Sequence, residues 1–403
     1  MCVCVCPTPT ILLLVRILAR GGAERGKCSM FEVADKTVEF LLRHDAARPP
    51  PGIGLLAANE FERVHWRDAF DTFQEAGRLA LWETKSALDG VNESAYLAAR
   101  DALFPLAVSG SQGAVLFGNR AGHKLREVME ATGVWEHLQH ETVGRKGSLA
   151  FADVCGGPGA FSQALFGMCR QHKLKLRGFG MTLRSVKGLD WYSSLPSDRF
   201  LVTYGIDGTG DVFNLANIEA LRSLTLTENM KLVVADGGFN VPFDIANYQE
   251  TISGRILFGQ WLTALKLLRV DGCFLLKLFD TFSPLLRVML YLSTYLYDRV
   301  HVVKPRHSRV LNSERYLVCL GFRGAPQPWM EHFERCYQAG FTDNDHIPTI
   351  MPISWVMEDN TFLSDMTEMS STIASNQVMA LKMVLAKLQL SASTERTEEQ
   401  PAS

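Results

Sequence analysis

Three observations predict an α/β fold with a mostly parallel central sheet and helical N- and C-terminal extensions. From Ser148 onward, short apolar runs alternate with amphipathic stretches, the pattern of repeated strand and crossover-helix units. A glycine-rich turn, Cys155-Gly156-Gly157-Pro158-Gly159, joins the first such run to the first such helix. The flanks lack this alternation and carry apolar residues at helical spacing.

The 403 residues include 47% hydrophobic and 21% charged side chains, a globular composition rather than a disordered or collagen-like one. With 41 basic against 43 acidic residues the net charge is −2, which excludes a polycation and confines any nucleic-acid surface to a local patch. Nine cysteines, scattered and without a CxxC pair, read as reduced thiols of an intracellular protein, with no metal site expected. Ile11–Val15 is cut by Arg16, too short for the ~20 residues of a membrane span. Cys2, Cys4 and Cys6 could bind a soft metal or carry lipid, and Arg16, Arg20, Arg25 and Lys27 could belong to a poor transit peptide. Residues 1–29 read instead as an unstructured or misassigned leader.

Residues 30–94 form the expected N-terminal helical extension, with Phe31–Asp45 and Glu60–Leu88 helical and Arg48-Pro49-Pro50-Pro51-Gly52 breaking them. The α/β domain spans 95–325. Its expected strands are Ser148–Val154, Phe179–Leu183, Phe200–Gly205, Leu232–Ala235, Cys273–Leu278, Val300–Lys304 and Arg315–Gly321. Ala160–His172, Asn214–Leu224 and Asp244–Arg269 are the expected helices. The last two strands are too close for a crossover helix, so they should pair antiparallel near an edge. A second helical extension, 326–390, includes Val378–Leu388, and Ser391–Ser403 reads as a disordered tail.

In a doubly wound sheet the first strand-to-helix turn holds a nucleotide-like cofactor. The turn after Asp153 is not GxGxxG, which disfavours NAD; S-adenosylmethionine fits a short turn without a diphosphate, and a purely structural turn is the alternative. Asp207 and Asp211, in Asp207-Gly-Thr-Gly-Asp211-Val212, follow another strand; Asp207 could accept from an adenine amine or serve an Asp/Gly turn and helix cap. Val233-Val234-Ala235-Asp236 ends a strand in a carboxylate at the same crevice.

With these stand Asn119-Arg120-Ala-Gly-His-Lys124, Phe274-Leu-Leu-Lys277 and Lys304-Pro-Arg306-His-Ser-Arg309-Val-Leu-Asn312-Ser-Glu314-Arg-Tyr316. In order and spacing the six motifs resemble the cap-specific mRNA ribose 2′-O-methyltransferases, a branch of the FtsJ-like Rossmann-fold, S-adenosylmethionine-dependent enzymes, over roughly residues 95–325. The resemblance implies a catalytic tetrad Lys124, Asp236, Lys277 and Glu314. It implies that Asn119, Cys155, Gly156, Gly157, Pro158, Gly159, Ala160, Phe161, Asp211, Val212 and Asp236 contact S-adenosyl-L-methionine, and that Asn312 touches RNA. Ala160 stands where the family often has glycine. Lys277 would be the base that takes the ribose proton. A free lysine titrates at ~10.4, so work near neutrality requires its ammonium to be destabilised by about 4 kcal/mol. Taken alone, Lys124 would be a surface lysine on a helix and Lys277 a lysine at a strand end.

The basic run Arg170, His172, Lys173, Lys175 and Arg177 reads as a solvated helix end. Arg306 and Arg309, which lead into Asn312, read as phosphate contacts. Trp66, Trp82, Trp135, Trp191 and Tyr192 are candidates to stack on a methylated guanine. The expected partner is the capped 5′ end of mRNA, with no membrane, and the expected compartment is the nucleus, with the cytoplasm as alternative. The Asp207–Asp211 stretch and the helical C-terminal extension resemble eukaryotic cap enzymes rather than compact ribosomal-RNA methyltransferases; divergence from the animal first-nucleotide enzymes and short length without accessory domains point to a protist enzyme of the trypanosomatid kind. An rRNA or tRNA 2′-O-methyltransferase and a non-catalytic RNA-binding protein on the same fold are the competing readings.

Overall fold

The structure, a computed structural model, describes residues 36–59, 63–70, 76–105, 119–140, 149–171, 175–184, 191–239, 241, 243–341, 343 and 345–398. The expected leader 1–29, residues 172–174 of the first basic run and residues 399–403 of the expected tail lie outside them. Ten strands are described: β1 (Val38–Leu42), β2 (Arg63–His65), β3 (Leu149–Val154), β4 (Leu176–Met181), β5 (Phe200–Thr203), β6 (Met230–Ala235), β7 (Cys273–Leu278), β8 (Tyr297–Lys304), β9 (Arg315–Phe322) and β10 (His346–Pro348). Eight form one sheet in the order β1-β8-β9-β7-β6-β3-β4-β5, and β2 pairs with β10 in a small second sheet.

Strands β3 to β7 run parallel. Their sequences are near-continuous apolar runs because helices cover both faces; every residue of β3 and β6 is buried. The chain passes from β3 outward to β4 and β5, then returns to β6 on the other side of β3. The resulting switch point opens a crevice at the carboxyl ends of β3 and β6, where Asp153 and Asp236 lie. As the close spacing predicts, β8 and β9 pair antiparallel, and β9 inserts between β7 and β8. The expected strand ends differ from the observed ones by a few residues, most at β4, which starts at Leu176 rather than Phe179.

Four expectations fail. In the described part of the expected helix Phe31–Asp45, from residue 36 on, residues 38–42 are strand β1, antiparallel on β8. Val38, Leu41 and Leu42 fit helical spacing, but the open edge of β8 offers the backbone a hydrogen-bonding partner. Among the described residues of the expected helix Glu60–Leu88, Ala76–Ser86 is α-helical, Asp68–Phe70 is a 3₁₀ turn, and Arg63–His65 pairs with β10 instead. Asp244–Arg269 divides into a 3₁₀ segment Phe243–Tyr248, a short helix Gln249–Ile252 and the helix Gly254–Leu267. Finally, the tail from Ser391 is helical to Glu398, the end of a 39-residue helix starting at Asn360. Once a helix is packed, elongation adds one bond per residue ordered, so the backbone can continue helical into a polar segment.

Pro284–Leu296, absent from the expected helices, is a helix buried on every side. Ser283 accepts from Leu286 N at 3.4 Å and Pro284 occupies the first turn, where its missing N–H costs nothing. The helix Ala76–Ser86 packs on the long C-terminal helix through Leu81, Ala374, Leu381 and Leu385, so the two extensions form one layer beside the α/β domain.

Strand β1 makes a sharp contrast between neighbours, with Leu42 2% and Leu41 44% exposed. Leu42→Ala should cost about 2–5 kcal/mol in chemical denaturation, whereas Leu41→Ala should stay within about 0.5 kcal/mol; equal costs would contradict the strand assignment.

Candidate active site

The turn after β3 is shaped by its glycines. Cys155 has φ 57° and Gly159 φ 100°, and Gly159 N closes the turn onto Gly156 O at 2.7 Å. A Cβ on Gly156 would lie 1.9 Å from Asp153 Oδ1, so no side chain can stand between that carboxylate and the turn. Asp153 is fully buried: Oδ2 accepts from Ser162 N at 3.1 Å and Ser162 Oγ at 2.6 Å, while Oδ1 has no partner. Burial pushes this carboxyl up to about 7 against the pull of Ser162. A buried acceptor without a donor, beside a turn stripped of side chains, suits a ligand with an ammonium group and a compact body. The amino-acid end of S-adenosylmethionine has both, so the residues fit that cofactor.

The other expected cofactor residues border this turn. Asn119 caps the helix Arg120–Thr132 through Gly122 N at 3.1 Å and reaches Tyr192 Oη at 3.4 Å; Tyr192 N donates to Pro158 O at 2.8 Å. Ala160 opens the helix Ala160–Gln171 and Phe161 is buried beneath it. Gly157 N donates to Thr182 Oγ1 at 3.2 Å, tying the turn to the end of β4. Val212 is buried, and Asp211 Oδ1 accepts from Phe213 N at 2.8 Å. Asp207 builds its own turn: Thr209, through hydroxyl and amide, and Asn214 hold its carboxyl well below the carboxylate range. Asn214, not Asp207, caps the following helix.

The four expected catalytic residues converge. Lys277, on β7, places Nζ 3.2 Å from Asp236 Oδ1 and donates to Asp236 O at 2.6 Å. Lys124, on the helix Arg120–Thr132, lies 2.6 Å from Glu314 Oε1. Between the pairs stands a residue that sequence reasoning quoted but gave no role: Tyr316 Oη is 3.1 Å from Glu314 Oε1 and 3.5 Å from Asp236 Oδ1. Burial pushes the Asp236 carboxyl up, with Lys277 opposing. Burial acts on Glu314 in the same direction, but Lys124, Lys277 and Lys304 outweigh it and hold that carboxyl down. Lys304, which opens the basic run read as phosphate-contacting, is instead buried, donates to Asn312 O at 2.5 Å and Glu314 O at 2.7 Å, and is held well below the ordinary lysine value by burial.

A cavity of ≈ 430 Å³ opens onto this cluster, lined by Lys277, Glu314, Asn312, Phe239 and Phe279, by Tyr96 of the helix Glu93–Leu103 and, from the extensions, by Lys85 and Gln377. Asn312 thus lines the cavity beside Lys277 and Glu314. Arg309 instead pairs with Asp101 at 3.0 Å, and Arg306 is exposed beside a separate small cavity against β1. Among the aromatic candidates, Trp135 is buried, Trp191 packs on Phe200 and Gly159, and Trp66 and Trp82 gather around Tyr248. Phe239, 41% exposed at the cavity, was missed because it follows two glycines in a turn. Among the described residues no group of three His, Cys, Asp or Glu could hold a metal ion, and no helix is long and apolar enough to cross a membrane.

Residues 117–322 match the FtsJ-like methyltransferase family. The chain belongs to that family. It is 79% identical over 360 residues, 89% of this chain and 99% of the other, to a Trypanosoma cruzi protein named cap-specific mRNA (nucleoside-2′-O-)-methyltransferase 1. A Trypanosoma brucei brucei protein of the same name is 64% identical over 89% of this chain and 96% of its own. A Danio rerio protein, again of that name, is 36% identical over 59% of this chain and 29% of its own length. As an FtsJ-like methyltransferase, the chain uses S-adenosylmethionine, in keeping with the turn described above.

Asp153 gives this methyltransferase a pH signature. Its carboxyl titrates near pH 7 when folded and near 3.9 when unfolded. The folded state therefore holds the extra proton between those values, and stability from this group falls as pH rises through the window and levels above it. Asp153→Asn removes that loss. Its stability relative to wild type should rise by about 2–3 kcal/mol between pH 5 and 8, at 1.36 kcal/mol per pH unit; a pH-independent difference would refute the assignment.

Proposed function

We propose that the chain methylates the ribose 2′-hydroxyl of a cap-proximal nucleotide of mRNA. The observation that carries this reading is the double pairing of Lys277 with Asp236 and Lys124 with Glu314, on the wall of a cavity beside the cofactor turn. The names of the trypanosomatid relatives, over nearly the whole chain, support capped mRNA as substrate.

A ribose hydroxyl becomes a competent nucleophile only as its proton leaves. S-adenosylmethionine supplies the electrophilic sulfonium methyl. Lys277, once deprotonated, would take the hydroxyl proton at Nζ as the methyl passes to the ribose oxygen. The ammonium that results is met by the Asp236 carboxylate and main-chain carbonyl, both already within reach. Glu314 and Lys124 hold each other at the far side of Tyr316 and carry equal and opposite charge, which leaves the Lys277–Asp236 pair free of a large net field. Asn312 orients the ribose from the cavity rim, and rate is gained by alignment rather than by a covalent intermediate. Arg306, exposed on the loop that leads into Asn312, contacts a phosphate. On this reading the chain works in the nucleus, where capped transcripts are made; a tagged chain found only in cytoplasm would overturn that assignment.

The test supplies labelled S-adenosylmethionine with capped and uncapped RNAs and maps the methylated nucleotide by nuclease digestion and mass spectrometry. Label at a cap-proximal ribose of capped RNA is expected. Equal labelling of uncapped RNA would favour an rRNA or tRNA substrate, and no transfer would leave only RNA binding. Lys277→Ala should lower transfer by about 10²–10⁴-fold while S-adenosylmethionine still binds; retained activity would remove Lys277 as the base.

A further inference from the structure

Residues 309–314 connect β8 to β9 without regular backbone pairing, yet they carry both Asn312 and Glu314. A buried segment of this kind must satisfy its carbonyls by other means. Here four consecutive carbonyls are each held by a side chain. Gln377 Nε2 donates to Leu311 O at 2.9 Å, Lys304 Nζ to Asn312 O and Glu314 O, and Arg315 Nε to Ser313 O at 3.0 Å. The Ser313 side chain is gripped as well: its hydroxyl accepts from Lys85 Nζ at 2.9 Å and donates to Asp280 Oδ2 at 2.9 Å. Lys85 also pairs with Asp280 at 3.2 Å, and Arg315 closes on the other Asp280 oxygen at 2.9 Å. Burial pushes the Asp280 carboxyl up, but Lys85 and Arg315 together hold it below its ordinary value, so the charge at the centre of the clamp stays in place.

Two of these grips come from outside the span that matches the methyltransferase family. Lys85 ends the N-terminal helix Ala76–Ser86, and Gln377 lies on the helix Asn360–Glu398. We propose that Lys85 and Gln377 are positioning residues: through Ser313 and Leu311 they fix the backbone between Asn312 and Glu314, so that docking of the two extensions sets the geometry at the reacting ribose. Asn312 and Glu314 flank Ser313 on either side, and a displacement of one shifts both. Lys304 and Arg315 hold the inner side of the segment from the sheet; Lys85 and Gln377 hold its outer side. This inference rests on the catalytic reading above.

The test uses the full chain with Lys85→Met, Lys85→Arg, Ser313→Ala, Gln377→Leu and the Lys85→Met/Ser313→Ala double variant. Turnover is measured at saturating RNA, with S-adenosylmethionine affinity measured separately. Lys85→Met should lower kcat roughly 10- to 10²-fold, the scale of a small misplacement at a reacting centre, with cofactor affinity within about twofold. Lys85→Arg should recover most of the loss. If Lys85 acts through Ser313, the double variant is no slower than the slower single one. A kcat within about twofold of wild type, a loss confined to the KM for RNA, or fully multiplicative effects would each overturn the proposal. Gln377→Leu is judged by the same kcat criterion should Lys85→Met not fold. Backbone amide exchange across 311–315 reads the clamp without turnover: faster exchange in Lys85→Met is expected, and unchanged exchange overturns the proposal even if the wild type proves inactive on capped RNA.

Discussion

Two carboxylates, Asp236 and Glu314, share one tyrosine hydroxyl, and the catalytic centre is arranged around that fact. Bringing two negative charges to one buried oxygen is unfavourable unless each has its own cation. Lys277 serves Asp236 from the neighbouring strand, and Lys124 serves Glu314 from a helix more than a hundred residues earlier in the chain. The parallel sheet makes the first pairing automatic, because β6 and β7 lie side by side and end at the same edge. The second requires β9 to run backwards between β7 and β8, which brings Glu314 to the edge where β7 ends.

The charges at the site cancel, as do those of the whole chain, and the two balances have different consequences. Within the site, balance lets ionised groups stay in a partly buried setting without a large uncompensated field. Over the whole chain, balance leaves no broad attraction for a polyanion, so under the proposed function RNA affinity would depend on ionic strength less steeply than for a polycation. The ion pair of Arg309 with Asp101 fits this economy: a basic residue that looked available for phosphate is already neutralised.

Much of the α/β domain was legible because its strands are buried on both faces, and runs such as Leu232–Ala235 and Cys273–Leu278 have few other ways to satisfy both backbone and side chains. The convergence of Lys124, Asp236, Lys277 and Glu314 was legible because the four sit in short motifs whose order could be matched. Strand β1 was not, since Val38, Leu41 and Leu42 suit either period and the deciding partner, β8, is about 260 residues away. Tyr316 was hidden for a related reason: a tyrosine in a buried strand is usually core, and only the placement of both carboxylates shows its hydroxyl to be shared. Lys85 left no local trace, its partners Asp280 and Ser313 lying 195 and 228 residues further on. Interactions written into one stretch of chain can be read there; those made between distant stretches cannot.

The grip of Gln377 on Leu311 orders events in the life of the chain. The sheet, the cofactor turn and all four tetrad residues are synthesised before Gln377, and parallel domains of this kind fold as units from their own contacts. The Leu311 carbonyl nevertheless stays without its side-chain donor until the long C-terminal helix that carries Gln377 has been made. A nascent chain can therefore possess every reacting group and still lack the alignment they need, so that maturation of the site is coupled to completion of the helix that ends the fold.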